Sequence, residues 1–167
     1  MTSGGPPGIC TERDVLLCTS GHIPRTVRAM PHIQDFVPIE EDFQEAGSVF
    51  VSGNGSWLTE PAVEAFNGSP GFAVDIGEAR LFDRGVVVDL RCVAAMGPFA
   101  TLDAAVRLEP MPPPRSHLSL SGSYEPSLSA ADGGDAVTQQ HSTESFVRRF
   151  LVGVAVTLER GRAEFPP

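Results

Sequence analysis

Few side chains in this sequence have chemistry to offer, and they are widely spaced. His22, His32, His117 and His141 lie too far apart for the short spacing at which histidines share a zinc ion, so each is expected in a loop or on the surface. No Gly-x-Ser-x-Gly elbow stands between a strand and a helix pattern, which argues against a serine-histidine-acid triad. Gly53-Asn54-Gly55-Ser56 is glycine-rich but lacks the lysine of a phosphate loop. All 12 basic residues are arginine, so a lysine Schiff base is excluded. Neither a metal nor a cofactor is implied. Trp57 and Tyr124, each the only residue of its type, remain as donors that can meet a ligand or be satisfied locally.

The elements that must position these groups begin with a helix. Phe146, Val147, Phe150, Leu151, Val154, Ala155 and Leu158 fall on one face of a 3.6-residue repeat, with Arg148, Arg149, Thr157 and Glu159 opposite. Ser142 or Thr143 is the expected cap, Glu144 lies in the first turn, Gly161 follows the end, and Glu144 with Arg148 forms an i,i+4 pair. Before the helix come four period-two segments: Phe72 to Ile76, Val86 to Cys92, Leu102 to Leu108 and His117 to Tyr124. Asp83-Arg84-Gly85 and the prolines from Met111 to Pro114 supply turns, so an antiparallel meander is expected. Val15 to Thr19 and Ser48 to Ser52 are both candidate first strands, and Trp57 to Phe66 reads as a short helix with Pro61 in its first turn or at a break. Ser127 to Gln140, polar and small, reads as a loop before the helix. Asn54-Gly55-Ser56 and Asn67-Gly68-Ser69 match the glycosylation sequon and are better read as turns.

From Phe72 through "LDAAVRLEPMPPPRSHLSLSGSYEPSL" to "ESFVRRFLVGVAVTLE", the chain resembles the C-terminal two-thirds of the SRPBCC superfamily, the START-like proteins of polyketide cyclisation and lipid transport. The likeness spans roughly residues 48 to 160, and Gly122-Ser123-Tyr124-Glu125-Pro126 matches the glycine-aromatic-Glu-Pro turn that leads toward the family's long terminal helix. The resemblance implies an α+β helix-grip fold, a curved antiparallel sheet packed on a long C-terminal helix. It is a pattern of strands and turns and contains no catalytic signature. Family members place one or two short helices after the first strand, whereas residues here before 48 look irregular.

Length agrees with one domain over residues 13 to 161, with a disordered tail over 1 to 12 and a second tail over 162 to 167. A chain of 167 residues buries roughly 70% of its unfolded surface, enough for a core and a modest cavity. With 21 acidic against 12 basic residues, a net charge of -9, nucleic acid and anionic membrane are excluded as expected partners. The densest charge run, Glu40-Glu41-Asp42 with Glu45, reads as a solvated loop. Cys10, Cys18 and Cys92 form no short motif and are too few for a disulfide framework, which points to a reducing compartment. No membrane span or signal-peptide core is visible, and the Arg, Ala, Gly and Pro bias suggests a GC-rich bacterial genome; a cytoplasmic location follows as the expectation.

The expected function is binding or carrying a hydrophobic small molecule, lipid-like or polyketide-like, in an apolar cavity between sheet and helix. Its lining would draw on Trp57, Val74, Val88, Leu90, Val106, Leu120 and Tyr124, with Phe146, Phe150 and Val154 from the helix. The same residues would be apolar in a core packed to crystal density with no ligand. A cyclase or aromatase-like enzyme is the alternative, with Tyr124, Arg91 or His117 assisting an aldol closure; alternation puts Arg91, Arg107 and His117 on the outer face. A ligand-free regulatory or interaction module is the third reading.

Overall fold

The computed structural model describes residues 30–68, 70–127 and 136–164. The candidate strand at Val15 to Thr19, the tail over 1 to 12, Cys10, Cys18 and His22 lie outside them. The chain runs β1 (His32–Ile39), α1 (Phe43–Val51), a 3-10 segment (Ser52–Leu58), α2 (Thr59–Ala65), β2 (Phe72–Ile76), β3 (Arg80–Phe82), β4 (Gly85–Ala94), β5 (Phe99–Pro110), β6 (Ser116–Pro126) and α3 (Ala136–Glu164). Six antiparallel strands form one open sheet in the order β1-β6-β5-β4-β2, with β3 also paired to β4. α3 lies on its inner face and packs on β1, β6, α1 and α2. This is the helix-grip α+β fold.

The four strands read by alternation are all present. Their apolar residues point inward, where Val88, Leu90, Cys92, Leu102, Val106, Leu108, Leu118 and Leu120 are buried. The stripe of α3 is equally clear, since Phe146, Val147, Phe150, Leu151, Val154, Ala155 and Leu158 are all buried. Gly153 lets α2 approach closely, because a Cβ there would stand 3.3 Å from Pro61 Cβ.

The first strand lies elsewhere than expected. Ser48 to Ser52 ends α1 and enters the 3-10 segment: Ala46, Gly47 and Phe50 are buried at helical spacing, and the Asp42 side chain caps the first turn by accepting from Gln44 N at 2.8 Å. β1 instead comprises His32–Ile39, a segment flanked by Pro31 and containing Pro38, which disguise a strand. The short helices that follow, α1 and α2, thus occupy the place that the superfamily pattern gives them.

The start of α3 is a second correction. The helix begins at Ala136, so the stretch from there to Gln140, expected in a loop, is helical. Thr143 is an interior residue and not a cap; its hydroxyl donates to Gln139 O at 2.9 Å, as buried helical threonines do. The helix also continues through Gly161 to Glu164. Arg148 does not pair with Glu144 but reaches Asp35 Oδ1 at 3.3 Å and Phe36 O at 2.8 Å on β1, where tertiary partners outcompete a helical neighbour. The acidic run, read as a solvated loop, is partly structural: besides the Asp42 cap, Glu40 pairs with Arg115 at 3.0 Å.

Candidate functional site

The registers of β2, β4, β5, β6 and β1 lay the inner-face side chains in cross-strand rows. One row is Val88, Val106 and Leu120; the next is Leu90, Ala104, Gly122 and Ile33; the third is Val74, Cys92, Leu102 and Tyr124. Val88, Leu90, Val106, Leu120, Tyr124, Phe146, Phe150 and Val154 all belong to one hydrophobic cluster between the sheet and α3, and Val74 and Trp57 pack against it half-buried. Antiparallel rows of this kind bring side chains of neighbouring strands to about 5 Å.

At one end of the cluster the space is filled by rings. Phe66 stacks on Phe72 with centroids 4.2 Å apart, and Phe146 meets Phe66, Phe72, Phe99 and Phe150 at 5.8, 6.0, 5.1 and 6.4 Å. Phe66 and Phe99, absent from the expected lining, complete this stack because α2 and the start of β5 converge beneath α3. Trp57 stands apart from it. Its indole edge meets Phe50 at 5.8 Å and its Nε1 donates to Phe50 O at 3.4 Å, so the donor is engaged by the preceding helix, α1.

Two titratable groups face the interior. Burial first, and the Asp103 carboxylate second, push the Cys92 thiol from 9.0 up to about 12, so this cysteine is a small apolar side chain at neutral pH. Tyr124 is only 3% exposed. Burial raises its phenol above the ordinary value; a hydrogen bond with Thr143 works against that shift and the Glu144 carboxylate adds to it. Tyr124 therefore offers a neutral hydrogen-bonding group and not a base.

Beside Tyr124 the sheet edge and α3 part to leave a recess of about 400 Å³, lined by His32, Ile33, Gln34, Asp35, Tyr124, Gln140 and Glu144. Its floor, Ile33 and Tyr124, belongs to the hydrophobic core, and its rim is polar. Four successive residues of β1 line it because β1 is the edge strand, with β6 on one side only. Along that free edge, Phe36 N–H donates to Asp35 Oδ1 at 2.8 Å and Phe36 O accepts from Arg148. Pro38 has no N–H to present. These features blunt the edge beyond the recess.

The outer face of the sheet carries a shallower groove of about 430 Å³, flanked by Asp75, Asp89, Arg91 and Asp103. Its charges are largely matched: Arg91 lies 3.5 Å from Asp103, and Arg80 pairs with Asp89. His117 faces outward as well, against Glu109 at 3.7 Å and the ring of Phe36 at 5.1 Å. Arg91 and His117 are thus separated by the sheet from Tyr124. Among the described residues no cluster of three or more His, Cys, Asp or Glu side chains could hold a metal ion, and no helix is long and apolar enough to cross a membrane.

Sequence reasoning missed the rim of the recess. His32, Gln34 and Asp35 belong to the strand that its prolines concealed, and Gln140 to the helical turn read as a loop. The alternation of Ile33, Val37 and Ile39 was the one signal available for β1, and inward-facing Asp35 interrupts it.

No family model matches the chain, and no curated protein matches it. Among solved structures it is similar to the Zhui aromatase/cyclase from Streptomyces sp. R1128, at 15% identity and a TM-score of 0.47, over 80% of this chain and 96% of that one. A protein from Thermus thermophilus overlaps at 10% identity and a TM-score of 0.49, over 78% and 99%. Norcoclaurine synthase from Thalictrum flavum, solved with dopamine and hydroxybenzaldehyde, does so at 10% and 0.46, over 87% and 96%. The chain's own element order, with β1 closing on β6, two short helices between β1 and β2, and α3 across the sheet, gives it the helix-grip fold, and in that fold it is similar to the SRPBCC superfamily.

Proposed function

We propose that this chain binds a hydrophobic small molecule between the sheet and α3, at the recess beside Tyr124. The observation that carries the reading is the recess itself: about 400 Å³ of space with core residues Ile33 and Tyr124 as its floor and polar side chains at its rim. That volume lies within the roughly 300 to 1,000 Å³ of small-molecule sites, and an apolar floor with a few polar groups is their usual make-up. The ligand's apolar part would rest on Ile33 and Tyr124 and extend toward the cross-strand rows that end in Val74, Val88, Leu90, Val106 and Leu120. Phe146, Phe150 and Val154 would bound the space from the helix, and Trp57 would act from the opposite end as a packing residue. Carriage or sequestration fits this arrangement better than catalysis, because the titratable group at the floor is a phenol whose burial moves it further from the range of a base at neutral pH.

Filling the recess tests the proposal. Gln140 is exposed on α3, so Gln140→Trp keeps the helix and places a ring at the rim. A neutral environment-sensitive dye such as Nile red should bind wild type with enhanced fluorescence, and the variant should lose that binding while its circular dichroism and melting temperature stay unchanged. Equal dye binding by wild type and variant would refute this location.

A further inference from the structure

The recess is electrostatically lopsided. Two carboxylates line it, Asp35 and Glu144. Asp35 is already matched, since Arg148 Nη1 lies 3.3 Å from its Oδ1 and also donates to Phe36 O. Among the described residues no arginine pairs with Glu144, since Arg148, one turn on, is taken by Asp35. Its described partners are the Gln140 side-chain amide, donating to Oε1 at 2.9 Å, and His141 Nδ1 at 3.3 Å from Oε2. Because Gln140 donates its N–H to Glu144, its amide oxygen is left to accept.

The backbone adds open donors and acceptors. N–H and C=O groups of alternate residues in an edge strand point the same way. Phe36 directs both of its groups to the free edge, and Gln34 and His32 share its parity. Among the described residues nothing bonds the free-edge groups of Gln34 and His32, which stand in the wall of the recess. A ligand that displaced water here would meet the Glu144 carboxylate, the Gln140 amide oxygen and open backbone N–H and C=O groups at the rim above an apolar floor.

We propose that the recess selects amphiphiles with a protonated amine as head group, the ammonium seated against Glu144 and the chain directed over Ile33 and Tyr124. This deepens the binding reading above and rests on it. Ammonium carries three donors and no acceptor, which suits the Glu144 carboxylate, the Gln140 amide oxygen and the open carbonyls of His32 and Gln34, whereas a carboxylate head, although the same edge offers it two N–H donors, would face Glu144 with like charge. Charge-assisted bonds of this kind are the stronger class.

The test compares two ligands of one chain length, decylamine and decanoate, displacing Nile red at pH 8.0 and 0.15 M salt. There the amine is charged and the acid ionised. Decylamine should bind about 10-fold more tightly than decanoate. In Glu144→Gln the preference should fall to within about 3-fold. Glu159→Gln, the same charge change on an exposed part of α3, lies fifteen residues on, about 22 Å along the helix and well beyond the roughly 8 Å screening length; it should keep the full preference. Equal binding of amine and acid by wild type overturns the head-group assignment and leaves the pocket reading standing. So does a preference untouched by Glu144→Gln, or one lowered equally by Glu159→Gln, which would assign it to the overall charge of -9. If neither ligand nor dye binds, the pocket reading itself falls, and the head-group assignment with it.

Discussion

Phe146→Ala is the most demanding perturbation of this fold. Phe146 is 1% exposed, and its ring lies within 6.4 Å of four other phenylalanine rings, drawn from α2, β2, β5 and α3 itself. Truncation removes the transfer free energy of a benzyl group and leaves a cavity that neighbours tied to three separate elements cannot collapse to fill. Buried Phe→Ala changes cost about 3 to 5 kcal/mol, and the edge-to-face contacts, each about 0.5 to 1.5 kcal/mol beyond burial, place this site toward the top of that range. Against a total stability of about 5 to 15 kcal/mol, this is a third or more of the whole. At about 2 to 4 °C per kcal/mol for a domain of this size, the melting temperature should drop by on the order of 10 °C. Urea unfolding followed by circular dichroism measures the loss, with an unchanged m-value showing that the native fold is retained. Arg149→Ala, whose exposed guanidinium meets Asn67 Oδ1 at 3.4 Å, is the control and should change stability by less than about 0.5 kcal/mol. A Phe146→Ala loss below about 1 kcal/mol would mean that the rings do not close on one another beneath α3, and the grip of helix on sheet would be wrong at that end.

Two further perturbations test the sheet. The Cys92 thiol loses its proton near 9.0 when unfolded and at about 12 when folded. The folded state therefore holds the extra proton between those values, and its stability, complete below pH 9, falls as pH rises to 12, by at most about 4 kcal/mol; Tyr124, also raised, acts in the same direction. Urea midpoints at pH 8 and 10.5 should show a fall of about 2 kcal/mol from Cys92 in wild type and a distinctly smaller one in Cys92→Ala; parallel falls would contradict the thiol's burial. Gly122 faces Ala104 across the β5–β6 pair, where an added Cβ would lie 2.6 Å from Ala104 Cα and closer still to Asp103 O. Because backbone cannot rotate away, Gly122→Ala should cost about 1 to 3 kcal/mol, and a variant with wild-type midpoint in urea would show that the strands do not approach as described.

Local pattern was sufficient for most of this architecture. The stripe from Phe146 to Leu158 can be apolar for one reason only in a polar chain of this length, namely burial of one helix face, and the alternation in β2, β4, β5 and β6 can likewise serve only a sheet with one covered side. Those are statements about neighbours in sequence, so sequence carries them. What encloses the helix and sheet is settled by contacts between distant segments. β1 has weak alternation, one proline inside it and another just before it, and it is a strand because β6 supplies its partners from Ser116 to Ser123 and because Pro38 can face the free edge without losing a bond. The first turns of α3 are polar, with Thr143 buried against Pro98 O at 3.5 Å; tertiary contact stabilises turns that propensity alone would leave in a loop. The same reasoning separates core from recess. An inward apolar residue is legible one position at a time, but whether Phe66, Phe72, Phe99 and Phe146 fill the space they share depends on summed volumes from four elements. The recess beside Tyr124 exists only because β1 and α3, nearly one hundred residues apart in sequence, diverge there with Glu144 on one wall and a free strand edge on the other.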